Sequence, residues 1–365
     1  MSIITKERLV SADSHVYFTH DWIKQRLRKE MHAVWDEAQL KAEEYGARVL
    51  RGGQPQLHLE DFVDPEASND LGYKLPADKL KAMDRDGVEA EVIFPELGGA
   101  KVCAPSLMGS HWKEVFKGYN DSMRDFAAHN PDRLLCAYQL PLFDVDFAVQ
   151  EVTRLARDSK ARCVQITPFP SDLGLPDYHD PVYTKLWKTI EETGLTIMNH
   201  LDVRTEAWSL FRRDPTPQKG IFTAMPWAPL AEAICFWILT GTLEKHPKLK
   251  VIFVEPGLGW IPWFFETLLD PRMDLHYEFP GVKQKPSDTF RQQCGATFMY
   301  EPKGLKTFYD YFGADCLYWS TDFPHPATCW PNSQTQVVSQ CAEAGIGEAD
   351  RKKIVSANAL KTFAL

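Results

Sequence analysis

The amino-acid sequence predicts an α/β protein that folds as a single (β/α)8 barrel of the TIM type. Eight apolar runs of strand length follow one another along the 365 residues, and amphipathic stretches of helix length separate most of them. Strands that alternate with helices form right-handed crossovers and a parallel sheet, and eight such units close into a barrel. One domain over residues 1–365 is consistent with this length, because α/β barrels of about 250 residues and more fold as one unit.

The predicted strands are short apolar runs bounded by polar or turn-forming residues. They cover residues 8–15, 90–94, 134–140, 163–167, 195–200, 249–255, 296–300 and 317–320. The predicted helices cover residues 111–129, 146–158, 181–192, 230–245, 262–269 and 303–311. Pro181 and Pro262 suit the first turn of a helix, and Gly194 suits the position after a helix end.

Three stretches do not fit a regular repeat of strand and helix. Residues 21–84 are rich in charge and in proline, and we expect them to form an insertion that is partly helical over 21–45. Residues 202–225 and 270–294 are long loops on the face where barrels build their active sites, so they are candidate lids or subunit contacts. After the last strand, residues 333–344 and 347–365 are predicted to form helices that close the barrel.

The composition excludes some classes of partner. Hydrophobic residues make up 44% of the chain and charged residues 25%, which is ordinary for a protein with a large buried core. The formal net charge is −9, and Lys and Arg do not cluster. We therefore expect no nucleic acid and no anionic membrane as partner, because both require clustered positive charge. A small-molecule substrate is expected instead.

The sequence also predicts the compartment. No segment has about 18 consecutive apolar residues, and the N-terminal residues lack the apolar core of a signal peptide. We therefore expect a cytoplasmic protein. The eight cysteines are scattered and form no Cys-x-x-Cys pair. This pattern is typical of reduced, mostly buried thiols rather than of disulfides or a structural zinc site.

Potential metal ligands stand at the ends of four predicted strands. Asp13 and His15 are two residues apart, so on an extended strand both side chains leave the same face. Alone, this pair is better explained as a polar cap at the end of an N-terminal strand. The fifth, sixth and eighth strands, however, end in His200, Glu255 and Asp322. Because the carboxyl ends of barrel strands meet at one mouth, the five residues together predict a metal site.

The types of ligand indicate which ions to expect. Two imidazoles with up to three carboxylates form a harder donor set than clusters of histidine, so manganese and iron compete with zinc. One ion is expected, or two if a carboxylate bridges. His20 and His325 are candidates for a second site. The alternatives are that His325 donates a hydrogen bond to a ligand or transfers a proton, and that His20 is an ordinary loop histidine.

The chain resembles the amidohydrolase superfamily, and within it the branch that includes aminocarboxymuconate semialdehyde decarboxylase and the aromatic acid decarboxylases. The segments that carry the resemblance are 13–16, 80–88, 119–120, 130–134, 246–250, 255–262 and 320–325. They span nearly the whole chain and are specific for the fold and the family, but not for the reaction.

The resemblance implies roles for the five strand-end residues. Asp13 and His15 match the two first-strand ligands of the family, with Asp13 where many members have His or Glu. His200 and Glu255 match the ligand positions of the fifth and sixth strands. Asp322 matches the last-strand aspartate, which binds metal and often handles the proton of bound water. The chain departs from its relatives at residue 18, where a phenylalanine replaces a frequent glutamate.

Aromatic side chains near these strand ends are candidates for the substrate pocket. Tyr17, Trp260 and Trp330 are the ones we select, although aromatic residues in such positions often belong to the core. Glu96, Gln165 and Glu301 are further polar candidates for the mouth.

These observations favour a metal-dependent enzyme that acts on a small carboxylate-bearing or carbonyl substrate by hydrolysis or non-oxidative decarboxylation. Asp322 or His325 would move the proton. One alternative is a dinuclear non-haem iron oxygenase that hydroxylates a small organic substrate on the same barrel. A third reading is a non-catalytic subunit paired with an active paralogue. We expect a dimer or higher oligomer, formed either with identical chains or with a related one.

Overall fold

The computed structural model describes residues 6–53, 74–96, 103–225, 227–274, 278–279, 281–325 and 327–365. Within these residues, eight parallel strands form one sheet in the order β1 to β8. The strands are Leu9–Val16 (β1), Val88–Pro95 (β2), Leu134–Gln139 (β3), Cys163–Gln165 (β4), Thr196–His200 (β5), Val251–Val254 (β6), Cys294–Phe298 (β7) and Leu317–Trp319 (β8). Each predicted strand is therefore confirmed, with ends that differ by a few residues.

The sheet closes where β8 meets β1. The His15 N–H donates to the Phe323 carbonyl at 2.7 Å, and the Asp322 N–H donates to the Asp13 carbonyl at 3.1 Å. Both bonds lie at the carboxyl end of β1 and just beyond β8. The predicted (β/α)8 barrel is thus confirmed, and its seam runs through residues of the predicted metal site.

Side chains alternate between the inside of the barrel and the layer under the helices. Along β2, Val92 and Phe94 pack inside, while Ile93 packs outward. The lower end of the interior is filled by Phe363 from the C-terminal helical segment. In the same region the Tyr318 and Thr362 hydroxyls are 2.8 Å apart. The predicted closing helices therefore do close the barrel.

Most helices lie where the periodicity predicts them. The longer ones are Met31–Tyr45, Pro76–Asp86, Trp112–Ala127, Val145–Leu155, Thr184–Thr193, Leu230–Ile238, Pro286–Gln293, Pro302–Phe312 and Ser333–Glu343. Shorter helical segments include His20–Lys24, Pro105–Met108, Trp208–Arg213, Gly220–Thr223, Thr242–Lys245, Ile261–Trp263, Phe264–Leu269, Glu348–Lys352, Lys353–Ala357 and Asn358–Thr362. The predicted helix 230–245 is two helices, because Gly241 between them has a φ of +72°.

The predicted insertion and loops contain more helix than expected. The part of insertion 21–84 nearest β2 is the helix Pro76–Asp86, which begins with a proline and ends before Gly87 in the left-handed conformation. This helix packs on β2 and serves as a crossover of the barrel. Residues 54–73 of the insertion lie outside the described residues. Loop 270–294 likewise includes the helix Pro286–Gln293.

Within the described residues, no helix is both long enough and apolar enough to cross a lipid bilayer.

Candidate metal centre

A β-bulge at the end of β1 aims two of the predicted ligands. Between Ser11 and Ser14, three residue steps on β1 face two steps on β2. The Ser11 hydroxyl donates to the Asp13 carbonyl at 2.6 Å, which supports the bulged backbone. Asp13 and His15 consequently face the same point, with 3.5 Å between Asp13 Oδ1 and His15 Nε2.

Four of the predicted ligands meet at the barrel mouth. Asp13, His15, His200 and Glu255 each offer one ligand atom, and these atoms all lie within 4.8 Å of one another. His200 Nε2 is 3.7 Å from Asp13 Oδ1 and 3.6 Å from Glu255 Oε2. The ends of β1, β5 and β6 thus bring together residues that are up to 242 positions apart in the sequence, from Asp13 to Glu255.

Both histidines turn the same ring nitrogen toward this cluster. His200 Nδ1 lies 2.7 Å from the Leu201 carbonyl, so Nδ1 carries a proton and Nε2 is the ring nitrogen that faces the cluster. His15 Nδ1 faces Glu96 Oε1 at 3.3 Å, and its Nε2 lies 3.1 Å from Asp322 Oδ1. A histidine that binds metal through one nitrogen commonly donates from the other to a carbonyl or carboxylate. Both rings have this arrangement.

Several buried atoms of the cluster have no hydrogen-bond partner among the described residues. They are both carboxylate oxygens of Asp13, both ring nitrogens of His15 and Nε2 of His200. Unsatisfied buried polar atoms are costly and uncommon in folded proteins. A divalent cation would use the lone pairs that face the cluster. The residues present therefore fit such an ion, and their oxygen and imidazole donors suit manganese, iron or zinc.

Asp322, the fifth predicted ligand, lies beside this group of four rather than in it. It forms a second group of potential ligands with Glu255 and His325. Burial alone would raise the pKa of the Asp322 carboxyl, but His325 and His15 hold this pKa well below its usual value. Asp322 is therefore a carboxylate at the edge of the cluster.

His325 is held between two carboxylates. Its Nδ1 is 2.8 Å from Asp322 Oδ1, and its Nε2 is 2.8 Å from Glu96 Oε1. Burial alone would lower the pKa of His325, but Asp322 and Glu96 raise it well above the usual value. His15, Glu96 and His325 form a third group of potential ligands. A second ion there stays a prediction.

Carboxyl groups outnumber imidazoles around the cluster. Burial and the nearby carboxylates of Asp322 and Asp13 raise the pKa of Glu255 well above its usual value. Burial by itself would lower the pKa of His200, yet Asp13 and Glu255 raise it to about 10. Each shift reflects carboxylates that are close together in a buried place, which is the environment that a divalent cation stabilises.

Two of the candidate ligands have strained backbone. Glu255 has a φ of +59° and Asp322 a φ of +51°. The described residues include two further non-glycine residues with positive φ, Lys219 and Ala364. This conformation is unfavourable for residues with a side chain and is often found at functional sites. Here it re-aims the two carboxylates after β6 and β8 have ended.

His20 is not part of these groups. Its Nδ1 accepts a hydrogen bond from the Trp35 indole N–H at 3.0 Å, and the two rings pack edge to face. This contact joins the helix His20–Lys24 to the helix Met31–Tyr45. The structure thus gives His20 a structural role within the segment that follows β1.

The three predicted pocket aromatics differ in their surroundings. Trp330 is buried, donates to the Ala82 carbonyl at 3.1 Å and packs on Phe323, which is the environment of a core residue. Trp260 is half-buried, and its ring packs on Trp227. Tyr17 is also half-buried, and the ammonium group of Lys74 lies 5.9 Å from the centre of its ring.

The further polar candidates near the mouth have identifiable partners. Glu96 holds His325 and faces His15, a role that sequence reasoning did not assign. The signal available was its position directly after β2, equivalent to that of the ligands after other strands. Gln165 is 2.5 Å from Gln139 through their amides. Glu301 accepts a hydrogen bond from the Leu258 N–H at 2.9 Å.

The sequence is similar to a known protein family and to two decarboxylases. The model of a family described as amidohydrolase matches residues 12–365. The chain is 27% identical over 361 residues to gamma-resorcylate decarboxylase of Rhizobium radiobacter, covering 86% of this chain and 99% of that protein. It is 21% identical over 302 residues to 2-amino-3-carboxymuconate-6-semialdehyde decarboxylase of Dictyostelium discoideum, covering 80% of this chain and 77% of that one.

Solved structures with the same fold include manganese-bound decarboxylases. The dihydroxybenzoic acid decarboxylase of Polaromonas sp. JS666, with bound manganese and 2-nitroresorcinol, is 19% identical, with a TM-score of 0.67 over 98% of this chain and 97% of that one. A mutant of the 5-carboxyvanillate decarboxylase of Novosphingobium aromaticivorans, also with manganese, is 16% identical, with a TM-score of 0.71 over 98% and 97%. At these identities the likeness concerns the fold.

Proposed function

The chain belongs to the amidohydrolase family, and on that basis we propose that it is a metal-dependent enzyme that decarboxylates a small carboxylate-bearing substrate without oxidation. The observation that carries the metal dependence is the pair His15 and His200, each of which turns Nε2 toward buried carboxylates. The relatives that are decarboxylases support the choice of reaction. The relative from Rhizobium radiobacter is named for gamma-resorcylate, which favours an aromatic acid as substrate.

The side chains have separate tasks in this proposal. Asp13, His15, His200 and Glu255 would hold the ion, with Asp322 next to them. A bound divalent ion supplies a Lewis acid that attracts the substrate oxygens and stabilises negative charge. We favour manganese because the ligand set is rich in oxygen and related folds bind it, with iron and zinc as alternatives.

Decarboxylation also requires a proton. The bond to the carboxyl carbon breaks, its electron pair stays on the substrate carbon, and that carbon gains a proton as CO2 leaves. We assign the transfer of this proton to Asp322 and His325, which are 2.8 Å apart. Because Glu96 fixes the other nitrogen of His325, the imidazole is kept in place beside Asp322.

Other reactions are possible on the same barrel. Hydrolysis would require Asp322 to take a proton from water instead. We propose decarboxylation over hydrolysis because the relatives in sequence are decarboxylases. The relatives described above do not support the oxygenase alternative. We therefore do not propose oxygenation.

The proposal can be tested with the full chain purified without chelator. Metal content is measured by mass spectrometry, and the protein loaded with Mn2+ is incubated with 2,6-dihydroxybenzoate and with 5-carboxyvanillate. We expect about one ion per chain and release of CO2 together with the decarboxylated phenol from one or more aromatic acids of this kind. Asp322→Asn should lower the rate by about 10²-fold or more, as expected on loss of a proton-transfer group.

His246→Ala is a suitable control. His246 is as buried as His200, at 8% exposure. It lies before β6, at the end of the barrel opposite the metal centre, and its Nδ1 pairs with Glu191 of the helix Thr184–Thr193. Its variant should keep metal and activity. A metal-loaded protein that hydrolyses an ester or amide, and releases no CO2 from any carboxylate offered, would contradict the proposal.

A further inference from the structure

A lysine is completely buried behind the candidate metal centre. Lys79 lies on the helix Pro76–Asp86, and its side chain has 0% exposure. Its ammonium nitrogen is 2.7 Å from Glu91 Oε2 and 3.4 Å from the His15 carbonyl oxygen, and it lies 4.7 Å from the centre of the Phe323 ring. An ammonium has three N–H donors. Here the ammonium has three neighbours: it forms an ion pair with a carboxylate, donates to a carbonyl and faces an aromatic ring.

Such a pair is not explained by stability alone. Glu91 is only 2% exposed, so both charges are removed from water. The desolvation of a buried ion pair often cancels its attraction, and apolar residues of similar volume are commonly as stable. A buried pair is therefore better understood through what it holds in place. Two of the three partners of Lys79, His15 and Phe323, adjoin or belong to the candidate centre.

These two partners lie on opposite sides of the barrel seam. His15 is on β1, and Phe323 follows Asp322 after β8. The His15 N–H donates to the Phe323 carbonyl at 2.7 Å, and the Asp322 N–H to the Asp13 carbonyl at 3.1 Å. Lys79 contacts both strand ends at this seam, through the carbonyl of one and the ring of the other. Glu91, on β2, fixes the ammonium between them.

We propose that Lys79 is a positioning residue that sets the distance between the ends of β1 and β8, so that His15 and Asp322 meet at the metal centre. Their side chains are 3.1 Å apart, from His15 Nε2 to Asp322 Oδ1. The inference rests on the proposed function, since it requires that these residues surround a metal ion. Lys79 itself would touch neither the ion nor the substrate.

The test separates positioning from stability by replacing the whole pair. In the double variant Lys79→Met/Glu91→Leu no buried charge is left unpaired, so the fold should be as stable as that of the wild type. Without the ammonium the two strand ends keep their backbone hydrogen bonds but lose the contact that sets the spacing of their side chains. We expect the Kd for Mn2+, measured by the electron paramagnetic resonance signal of free Mn2+, to rise about tenfold or more, the usual effect of losing a residue that supports metal ligands.

A matched control replaces another ion pair, Arg351 with Glu7, whose atoms are 2.6 Å apart. Glu7 precedes β1 at the opposite end of the barrel from the centre. The variant Arg351→Met/Glu7→Leu should keep the wild-type Kd for Mn2+. Phe323→Leu is a second test: it removes the ring that the ammonium faces and should raise this Kd about threefold or more.

The outcomes distinguish this inference from the proposed function. Folded Lys79→Met/Glu91→Leu and Phe323→Leu proteins that both bind Mn2+ with the wild-type Kd would overturn the role of Lys79 and leave the proposed function intact. If the double variant fails to fold, the result for Phe323→Leu decides. A wild-type protein that binds no Mn2+, iron or zinc would overturn the proposed function, and the inference with it.

Discussion

His325 Nε2 lies 2.8 Å from Glu96 Oε1, and this contact joins the segment after β8 to the end of β2 across the barrel mouth. The other ring nitrogen of His325 is held by Asp322 at the same distance. The imidazole is therefore fixed at both nitrogens. Glu96 also faces His15, so one carboxylate orients a candidate ligand and a candidate proton-transfer residue.

The first prediction concerns Glu96. Glu96→Gln keeps the shape of the side chain but loses the charge that orients His325 and His15, so kcat/KM for decarboxylation should fall about 10- to 100-fold. The rate of CO2 release from the Mn2+-loaded protein measures this. Glu89→Gln is the control, because Glu89 is an exposed residue at the start of β2 that pairs with Arg8. Equal rates for the two variants would refute the role of Glu96.

The second prediction concerns metal and stability. A ligand that binds only the folded state stabilises it, by about 2.7 kcal/mol at a hundredfold excess over its Kd. Mn2+ should therefore raise the melting temperature of the wild type and of His246→Ala, whereas His200→Ala should show little shift. Calorimetric scans with and without Mn2+ measure the difference. A full shift in His200→Ala would mean that the ion binds elsewhere.

The third prediction uses the strained backbone of Glu255. Asn tolerates the left-handed conformation better than Glu, and it adds no negative charge to the cluster. Glu255→Asn should therefore stabilise the metal-free protein by about 1 kcal/mol, while weakening Mn2+ binding. Glu255→Gln loses the charge but keeps the strain, so comparing the two by denaturant unfolding separates these effects. Loss of stability in metal-free Glu255→Asn would contradict this account.

The metal ligands could be predicted from the sequence because the topology of a barrel determines which residues come together. Once alternating strands and helices predict a barrel, residues at or just beyond the carboxyl ends of strands, such as His200 and Asp322, must meet at one mouth. The bulge at Ser11 was not predictable, because it depends on how β1 pairs with β2. The same holds for the left-handed backbone of Glu255, which only tertiary contacts can impose.

The residues that support the ligands were harder to find. Glu96 has no motif around it, and its partners His15 and His325 are 81 and 229 positions away. Lys79 lies in a segment that was predicted to be an insertion because it is rich in charge and in proline. A helical lysine is nearly always exposed, so composition predicts the wrong environment for it. Only the packing of its helix on β2 brings it behind the centre.

The fourth prediction concerns Glu301, whose carboxyl accepts the Leu258 N–H after β6. Burial raises the pKa of Glu301 to about 7, against an ordinary value of 4.5. In the unfolded chain the same group ionises near its ordinary value. Folding therefore favours the protonated form between these two pKa values, and the folded protein binds more protons than the unfolded one in this range.

The stabilisation from protonated Glu301 is complete below about pH 4.5 and is lost as the pH rises through 7. The contribution of Glu301 to the free energy of unfolding falls over this range by on the order of 3 kcal/mol. Glu301→Gln keeps an acceptor for the Leu258 N–H and does not ionise. The free energy of unfolding of this variant relative to the wild type should therefore rise between pH 5 and pH 8, as measured by urea unfolding at each pH. A difference that stays constant over this range would show that Glu301 ionises normally in the folded protein.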